Sequence, residues 1–140
     1  MSSSWILLIA ALIAASGLAL VVARLLTLRA GLREASAQYP RIDPSELGLS
    51  PTGPTVVHFS APWCGPCPSV RRVVEQVCAD LPAAGRLEIN LDDNPEAARR
   101  LSVLSLPTTL IIDADGQVRY RTSRVPTAAD LRAALKPLLA

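Results

Sequence analysis

The feature that most constrains this chain is an uncharged apolar run near its N-terminus. Residues 5–23, WILLIAALIAASGLALVVA, contain no charged side chain over 19 residues. As a helix this run is roughly 28 Å long, which matches a bilayer core of about 30 Å. Because the run is apolar on every side, it does not fit the one-faced helix of a soluble domain. We therefore expect a membrane-spanning helix with its flank in residues 1–28.

A secretory signal peptide is the alternative for this run. Such a peptide has a basic N-terminal flank, a shorter apolar core and a small-residue cleavage site. No Lys or Arg precedes Trp5, whereas Arg24, Arg29 and Arg33 follow the run. Positive charge beside a membrane helix tends to stay in the cytoplasm. The pattern favours a permanent single-pass anchor in the cell membrane with the following domain in the cytoplasm, and the outward orientation is the alternative.

The charge of the remaining chain excludes one class of partner. From residue 41 onward the sequence contains 11 basic and 11 acidic residues, so this part is neutral. No basic patch is interleaved with aromatic residues, so we expect no nucleic-acid partner. After the first 40 residues about 100 remain, which is enough for one small hydrophobic core.

The hydrophobic pattern after residue 54 alternates between strands and helices. Residues 39–54 contain four prolines and two glycines, and together with the preceding positions they predict a juxtamembrane segment and linker over 29–53, with one short turn at 44–47. The following order is β-α-β-α-β-β-α, which predicts an α/β domain over 54–140 with parallel strands and an antiparallel edge. The predicted strands are 55–60, 86–91, 108–113 and 117–122, and the predicted helices begin near residues 64, 94 and 127.

The segment SAPWCGPCPSV at 60–70 contains two cysteines separated by two residues, Cys64 and Cys67. Cys64 directly follows a predicted strand and begins a predicted helix, where backbone N–H groups and the helix dipole favour a thiolate. The spacing lets the second thiol attack a mixed disulfide held on the first. The pair therefore suits two-step disulfide exchange, with Cys64 as the attacking nucleophile and Cys67 as the resolving thiol.

Other uses of these cysteines fit the sequence less well. A structural zinc site usually needs four ligands, commonly two such pairs, but the chain has three cysteines and one histidine. A purely structural disulfide across two residues would constrain almost nothing. Cys78 lies on the apolar stripe of the predicted helix, so we expect an inert core residue, with a regulatory thiol as the alternative. We expect neither a metal nor a cofactor.

The motif WCGPC, followed by LPTT at 106–109, resembles the thioredoxin family over roughly residues 54–140. The whole chain is similar to small membrane-anchored thioredoxin-like proteins of high-GC bacteria. The resemblance implies a thioredoxin-like fold, in which helices cover both faces of a central mixed sheet. It also implies a redox-active disulfide between Cys64 and Cys67.

The resemblance further implies how a substrate is held. Pro107 would form a cis peptide facing the cysteines, and the backbone at Leu106 would pair with the substrate as an added strand. Trp63 would flank the site and shape the docking surface. The residues that the resemblance assigns to substrate binding are Trp63, Gly65, Pro66, Leu106 and Pro107.

The sequence departs from classical thioredoxins beneath the cysteines. The position of their buried Asp is occupied by His58, and the position of its partner Lys is occupied by Glu88. Imidazole titrates near neutrality, so His58 could accept the proton from Cys67 during resolution, with Glu88 holding the ring. The alternative is a strand histidine that only satisfies its own hydrogen bonds.

Two further departures concern the backbone. Pro68 follows Cys67, and its missing N–H predicts a distorted first turn of the helix. The first strand and helix of classical thioredoxins have almost no counterpart before residue 54, so we expect them to be truncated.

Together these features predict a membrane-anchored thiol–disulfide oxidoreductase that reduces protein disulfides. Its partners would be protein disulfides, the membrane through residues 5–23, and an upstream electron donor that resembles thioredoxin reductase or is a membrane carrier. One alternative is an extracytoplasmic disulfide reductase of the cytochrome-maturation kind, which PTTLIIDADGQV resembles. Those proteins carry an insertion for which the 25 residues from Cys67 to Asp92 leave no room. The other alternative is a non-catalytic binding module of the same fold.

Overall fold

The computed structural model describes residues 2–29, 33–34 and 38–140. It divides into two compact units, residues 1–30 and residues 31–140. Parts of the predicted juxtamembrane segment, residues 30–32 and 35–37, lie outside the described residues.

The first unit is a single helix, α1 (Ser2–Arg29). Its segment Ser4–Leu25, of 22 residues, is long and apolar enough to cross a membrane. The predicted apolar helix is therefore present. A signal sequence near an N-terminus can also contain a helix this long and apolar.

Among its described residues, the second unit contains five strands and four helices. In chain order they are β1 (Arg33–Glu34), α2 (Pro44–Leu47), β2 (Thr55–Ser60), α3 (Cys67–Asp80), β3 (Gly85–Asn90), α4 (Pro95–Arg100), β4 (Thr108–Ile112), β5 (Val118–Thr122) and α5 (Ala128–Leu139). The strands form one sheet with the order β1-β5-β4-β2-β3. β2 and β3 are parallel, whereas β2 is antiparallel to β4 on its other side, and β5 is antiparallel to both β4 and β1. This confirms the predicted mixed sheet.

The sheet has a hydrophobic core on each face. Val57 and Phe59 of β2 contribute to the core that includes residues of α4, whereas Val56 of the same strand packs with α3 and α5. This alternation follows from the two-residue period of a strand. All six residues of β2 are buried, and His58, in the middle of the strand, is the one among them with an ionisable side chain.

The stretch predicted as a linker also contributes to the core. Ile42 and Leu49, on either side of α2, are buried against β2 and β4 residues. The Ile42 N–H donates a hydrogen bond to the Gly116 carbonyl at 2.9 Å. The short turn predicted at 44–47 is the one-turn α2, whereas the two-residue β1 lies before this stretch.

The first residues of α5 and α4 differ in how they are capped. The helix predicted to begin near residue 127 is α5, and Thr127 caps it, because its hydroxyl accepts a hydrogen bond from the Asp130 N–H at 3.1 Å. Asn94 occupies the cap position of α4, but its side chain makes no capping bond and its amide donates to the Asn90 carbonyl instead.

The turn between β4 and β5 provides a test of the fold. Gly116 has φ +81°, and a Cβ there would lie 1.7 Å from the Ile42 carbonyl oxygen. Gly116→Ala should therefore lower the free energy of unfolding by about 2–4 kcal/mol, through left-handed strain and the lost Ile42 contact. Chemical denaturation of the full chain in detergent measures this loss.

The matched control is Gly48→Ala. Gly48 has φ +67°, but nothing lies within 4 Å of a Cβ built there. The control should lose about 1 kcal/mol, from backbone strain alone. Equal losses in the two variants would contradict the proposed contact between Gly116 and the Ile42 backbone.

Candidate redox site

The two cysteines of the CxxC motif form a disulfide at the C-terminal end of β2. The two sulfur atoms lie 2.10 Å apart and the two Cα atoms 5.5 Å apart. Cys64 lies in a turn closed by the hydrogen bond from its N–H to the Ala61 carbonyl at 3.1 Å. Cys67 is the first residue of α3. The pair thus sits at the N-terminal end of that helix, where the dipole favours a thiolate once the pair is reduced.

The start of α3 corrects two expectations. The helix begins at Cys67 and not at Cys64, because the intervening residues form a turn that ends at Pro66, the cap residue. Pro68 is then the second helical residue, whose N–H would have no partner within the helix in any case. The N–H groups of Ser69 and Val70 both bond to the Pro66 carbonyl, at 3.1 and 3.3 Å. The predicted distortion of the first turn was therefore wrong.

The two cysteines differ in accessibility. Cys64 is 8% exposed and Cys67 is 2% exposed. The Cys67 sulfur lies 3.9 Å from the Phe59 carbonyl oxygen, inside the fold. An incoming disulfide therefore has better access to Cys64, which agrees with the predicted order of attack.

The residues that the resemblance assigned to substrate binding flank the cysteines in the chain or directly precede β4. Trp63 is 66% exposed, and its indole N–H donates to an Asp92 carboxylate oxygen at 3.2 Å. Gly65 and Pro66 are exposed in the turn between the cysteines. Leu106 packs against the cluster of the two cysteines and Ala61. The Leu106–Pro107 peptide is cis, and Pro107 is buried directly before β4.

His58 lies in the middle of β2, and its side chain is directed at β3. It is 4% exposed and faces Glu88 across the parallel strand pair. Its Nε2 lies 3.5 Å from Glu88 Oε2, which is an ion-pair distance and too long for a good hydrogen bond. Among the residues that the structure describes, neither ring nitrogen has a hydrogen-bond partner. Burial lowers the pKa of His58 more than the Glu88 charge raises it, so the imidazole is neutral at neutral pH.

Glu88 is held mainly by residues other than His58. Arg71 donates from Nε to Oε2 at 2.8 Å and from Nη2 to Oε1 at 2.5 Å, and the Ser60 hydroxyl donates to Oε1 at 2.7 Å. These bonds, the Arg71 bond first, lower the pKa of Glu88 to about 2. The predicted approach of Glu88 to His58 is thus present, but the sequence analysis missed Arg71. The available signal was its position four residues after Cys67, one turn along the helix.

The imidazole of His58 lines a cleft between α3 and β3 with a volume of about 260 Å³. Its charged walls are the Arg71–Glu88 pair and a second pair, in which Arg86 Nη1 lies 2.9 Å from Glu75 Oε1. The charged side chains of its walls are between 31% and 56% exposed, so the buried ring borders a polar cleft that reaches solvent. Both ring nitrogens are themselves buried.

Cys78 lies apart from the redox pair. It is buried in the core between α3 and α5 and forms no disulfide. Its sulfur lies 3.8 Å from the Gly85 carbonyl oxygen, and burial raises the pKa of its thiol. The position agrees with a core residue, and its chemical inertness stays a prediction. Within residues 2–29, 33–34 and 38–140, no group of three or more His, Cys, Asp or Glu side chains could hold a metal.

Comparison with known proteins agrees with this geometry. The family model described as Thioredoxin matches residues 47–137. Thioredoxin of Pyropia yezoensis is 38% identical over 74 residues, which cover 52% of this chain and 69% of the relative. Thioredoxin of Staphylococcus aureus is 42% identical over 67 residues, which cover 47% of this chain and 64% of the relative. The chain thus spans about two thirds of the length of these relatives.

A solved structure extends the comparison to the fold. The X-ray structure of Fasciola hepatica thioredoxin superposes with a TM-score of 0.55 at 31% sequence identity. The match covers 62% of this chain and 82% of that chain. The residues matched by the family model, 47–137, lie in the second unit.

Proposed function

Because the chain belongs to the thioredoxin family, we propose that this thiol–disulfide oxidoreductase is anchored in a membrane and reduces protein disulfides. The observation that carries the proposal is the Cys64–Cys67 disulfide at the N-terminal end of α3, with Cys64 as the more exposed residue of the pair. The proposal takes the direction of electron flow from the thioredoxin relatives and the CGPC sequence.

The proposed reaction has two steps, attack on the substrate disulfide and resolution of the mixed disulfide. In the dithiol form, the Cys64 thiolate attacks one sulfur of a substrate disulfide; a mixed disulfide forms and the other substrate sulfur leaves as a thiolate. The Cys67 thiol then loses its proton and attacks the Cys64 sulfur. The Cys64–Cys67 disulfide forms, the second substrate thiol leaves, and two electrons have passed to the substrate. A dithiol donor or a membrane electron carrier must then reduce the pair again.

His58 is proposed as the acceptor of the Cys67 proton. The proposal is supported by a buried imidazole that is neutral at neutral pH and borders an open polar cleft. Glu88 is proposed as the group that stabilises the resulting imidazolium, from 3.5 Å. Trp63, Gly65, Pro66, Leu106 and Pro107 are proposed to bind the substrate beside Cys64.

Replacing single cysteines separates the two steps. Cys67→Ser should accumulate mixed disulfides on Cys64, because the resolving thiol is gone, whereas Cys64→Ser should abolish both turnover and trapping. Insulin-disulfide reduction measures turnover, and non-reducing electrophoresis detects the trapped species. Cys78→Ser is the matched control and should retain nearly full turnover. A chain that captures insulin but never reduces it would instead be a binding module.

Replacing the proposed base tests the second step by itself. His58→Ala should slow resolution of a preformed mixed disulfide by about 10²-fold, while attack by Cys64 stays close to the wild-type rate. Stopped-flow measurement of each step across pH 5–9 should also show that resolution loses its inflection. A lower free energy of unfolding with unchanged resolution kinetics would show that His58 is only a structural residue.

The location of the protein is proposed from α1. The apolar segment Ser4–Leu25 and the arginines that follow it support a single-pass anchor with the second unit in the cytoplasm. An anchor in the same membrane as the substrate or the electron donor would raise their effective concentration.

Orientation can be measured with one engineered thiol. A cysteine added after Ala140, in a chain whose three native cysteines are replaced by serine, should react with a membrane-impermeant maleimide only after spheroplasts are permeabilised. Labelling of intact spheroplasts would place the domain outside and favour the extracytoplasmic reductase. Release of a shortened, soluble chain would identify α1 as a cleaved signal sequence.

A further inference from the structure

The carboxylate of Glu88 is held in a clamp that spans two secondary-structure elements. Arg71 reaches from α3 to β3 and donates one hydrogen bond to each carboxylate oxygen, which is the strong two-pronged geometry of an Arg–carboxylate pair. Ser60 at the end of β2 donates a third bond to Oε1. The other oxygen, Oε2, accepts the bond from Arg71 Nε and also lies 3.5 Å from His58 Nε2.

The charges that face His58 come from two sides. From β3 these are Glu88 and Arg86, and from α3 they are Arg71 and Glu75. On the other side, β4 presents Thr109 in register with His58 and brings no charge. Arg86 and Glu75 pair with each other. The charge closest to the imidazole is therefore the carboxylate of Glu88.

We propose that Arg71 is a positioning residue that keeps the Glu88 carboxylate against the His58 imidazole and so sets the strength of this base. The consequence for turnover rests on the proposed role of His58 as the proton acceptor. Arg71 itself need not touch the substrate or the reacting sulfurs.

Arg71 acts on His58 in two opposite ways. Its own positive charge disfavours an imidazolium and lowers the pKa of His58, whereas the carboxylate that it holds in place raises it. The carboxylate has the larger of these two effects because it lies directly against the ring. The Glu88 side chain is 31% exposed, so without Arg71 only the Ser60 bond opposes its turning toward water. A buried imidazolium would then lose its counter-charge, which is costly inside a protein.

The sign of one pKa change therefore tests the proposal. Arg71→Met should lower the pKa of His58 by about half a unit or more, and Glu88→Gln should do the same, because each removes the counter-charge. His58 is the single histidine of the chain, so its ring signals are unambiguous in an NMR titration. The titration uses the full chain, oxidised and in detergent micelles, over pH 4–9.

Three controls make the result specific. Arg72→Met removes the neighbouring arginine, whose guanidinium lies 3.4 Å from the Ser69 hydroxyl, and should leave the pKa of His58 unchanged. Arg71→Lys retains the charge without the two-pronged bond and should lie between wild type and Arg71→Met. Adding Arg71→Met to Glu88→Gln should cause no further fall in the pKa, because Arg71 acts through Glu88.

The opposite results overturn the proposal. A rise in the pKa of His58 in Arg71→Met would show that Arg71 is only a repelling charge, and no change would show that it does not act on His58. Because the titration needs no turnover, it tests the positioning role of Arg71 independently of the proposed role of His58 as the proton acceptor. A lowered pKa in Arg71→Met, together with unchanged resolution kinetics in His58→Ala, would retain the positioning role and reject His58 as the proton acceptor.

Discussion

The site depends on the pairing of β2 with a strand on each side. β3 is hydrogen-bonded in parallel on one side and β4 in antiparallel on the other, so all six residues of β2 are buried. This double pairing fixes the register that sets His58 opposite Glu88. It also fixes the end of the strand, from which the turn carrying Cys64 departs. A slip of one residue would direct His58 into the opposite core.

A buried histidine in a central strand has an energetic consequence. Its ring nitrogens have no hydrogen-bond partner among the described residues, and burial favours the neutral form. The carboxylate at 3.5 Å opposes this effect, and that carboxylate is in turn kept ionised by Arg71 and Ser60. The protonation of His58 is thus set by a balance among residues of α3, β2 and β3. Replacing one member changes the surroundings of the others.

Local signals in the sequence predicted most of the fold. Three features were predicted from residues close together in the chain: the buried strand β2, the apolar stripe of α3 and the start of α5 near residue 127. For these features the local sequence pattern was sufficient to predict the structure. The start of α3 was misplaced by three residues because proline is compatible with both a turn and a first helical turn. The core role of Ile42 and Leu49 was missed because a short segment rich in proline and glycine carries no periodicity.

The sequence by itself determined that the chain has an apolar helix of membrane length and a redox-type cysteine pair after a buried strand, because each rests on composition or on a spacing of a few residues. It also placed His58 and Glu88 together through the resemblance. Only the tertiary structure decided that Arg71 holds Glu88, since residues 17 positions apart in the chain meet there. It alone decided that the imidazole of His58 borders a polar cleft between α3 and β3. These properties depend on how α3 packs against β3. Residues close together in the chain do not determine the distance between these two elements.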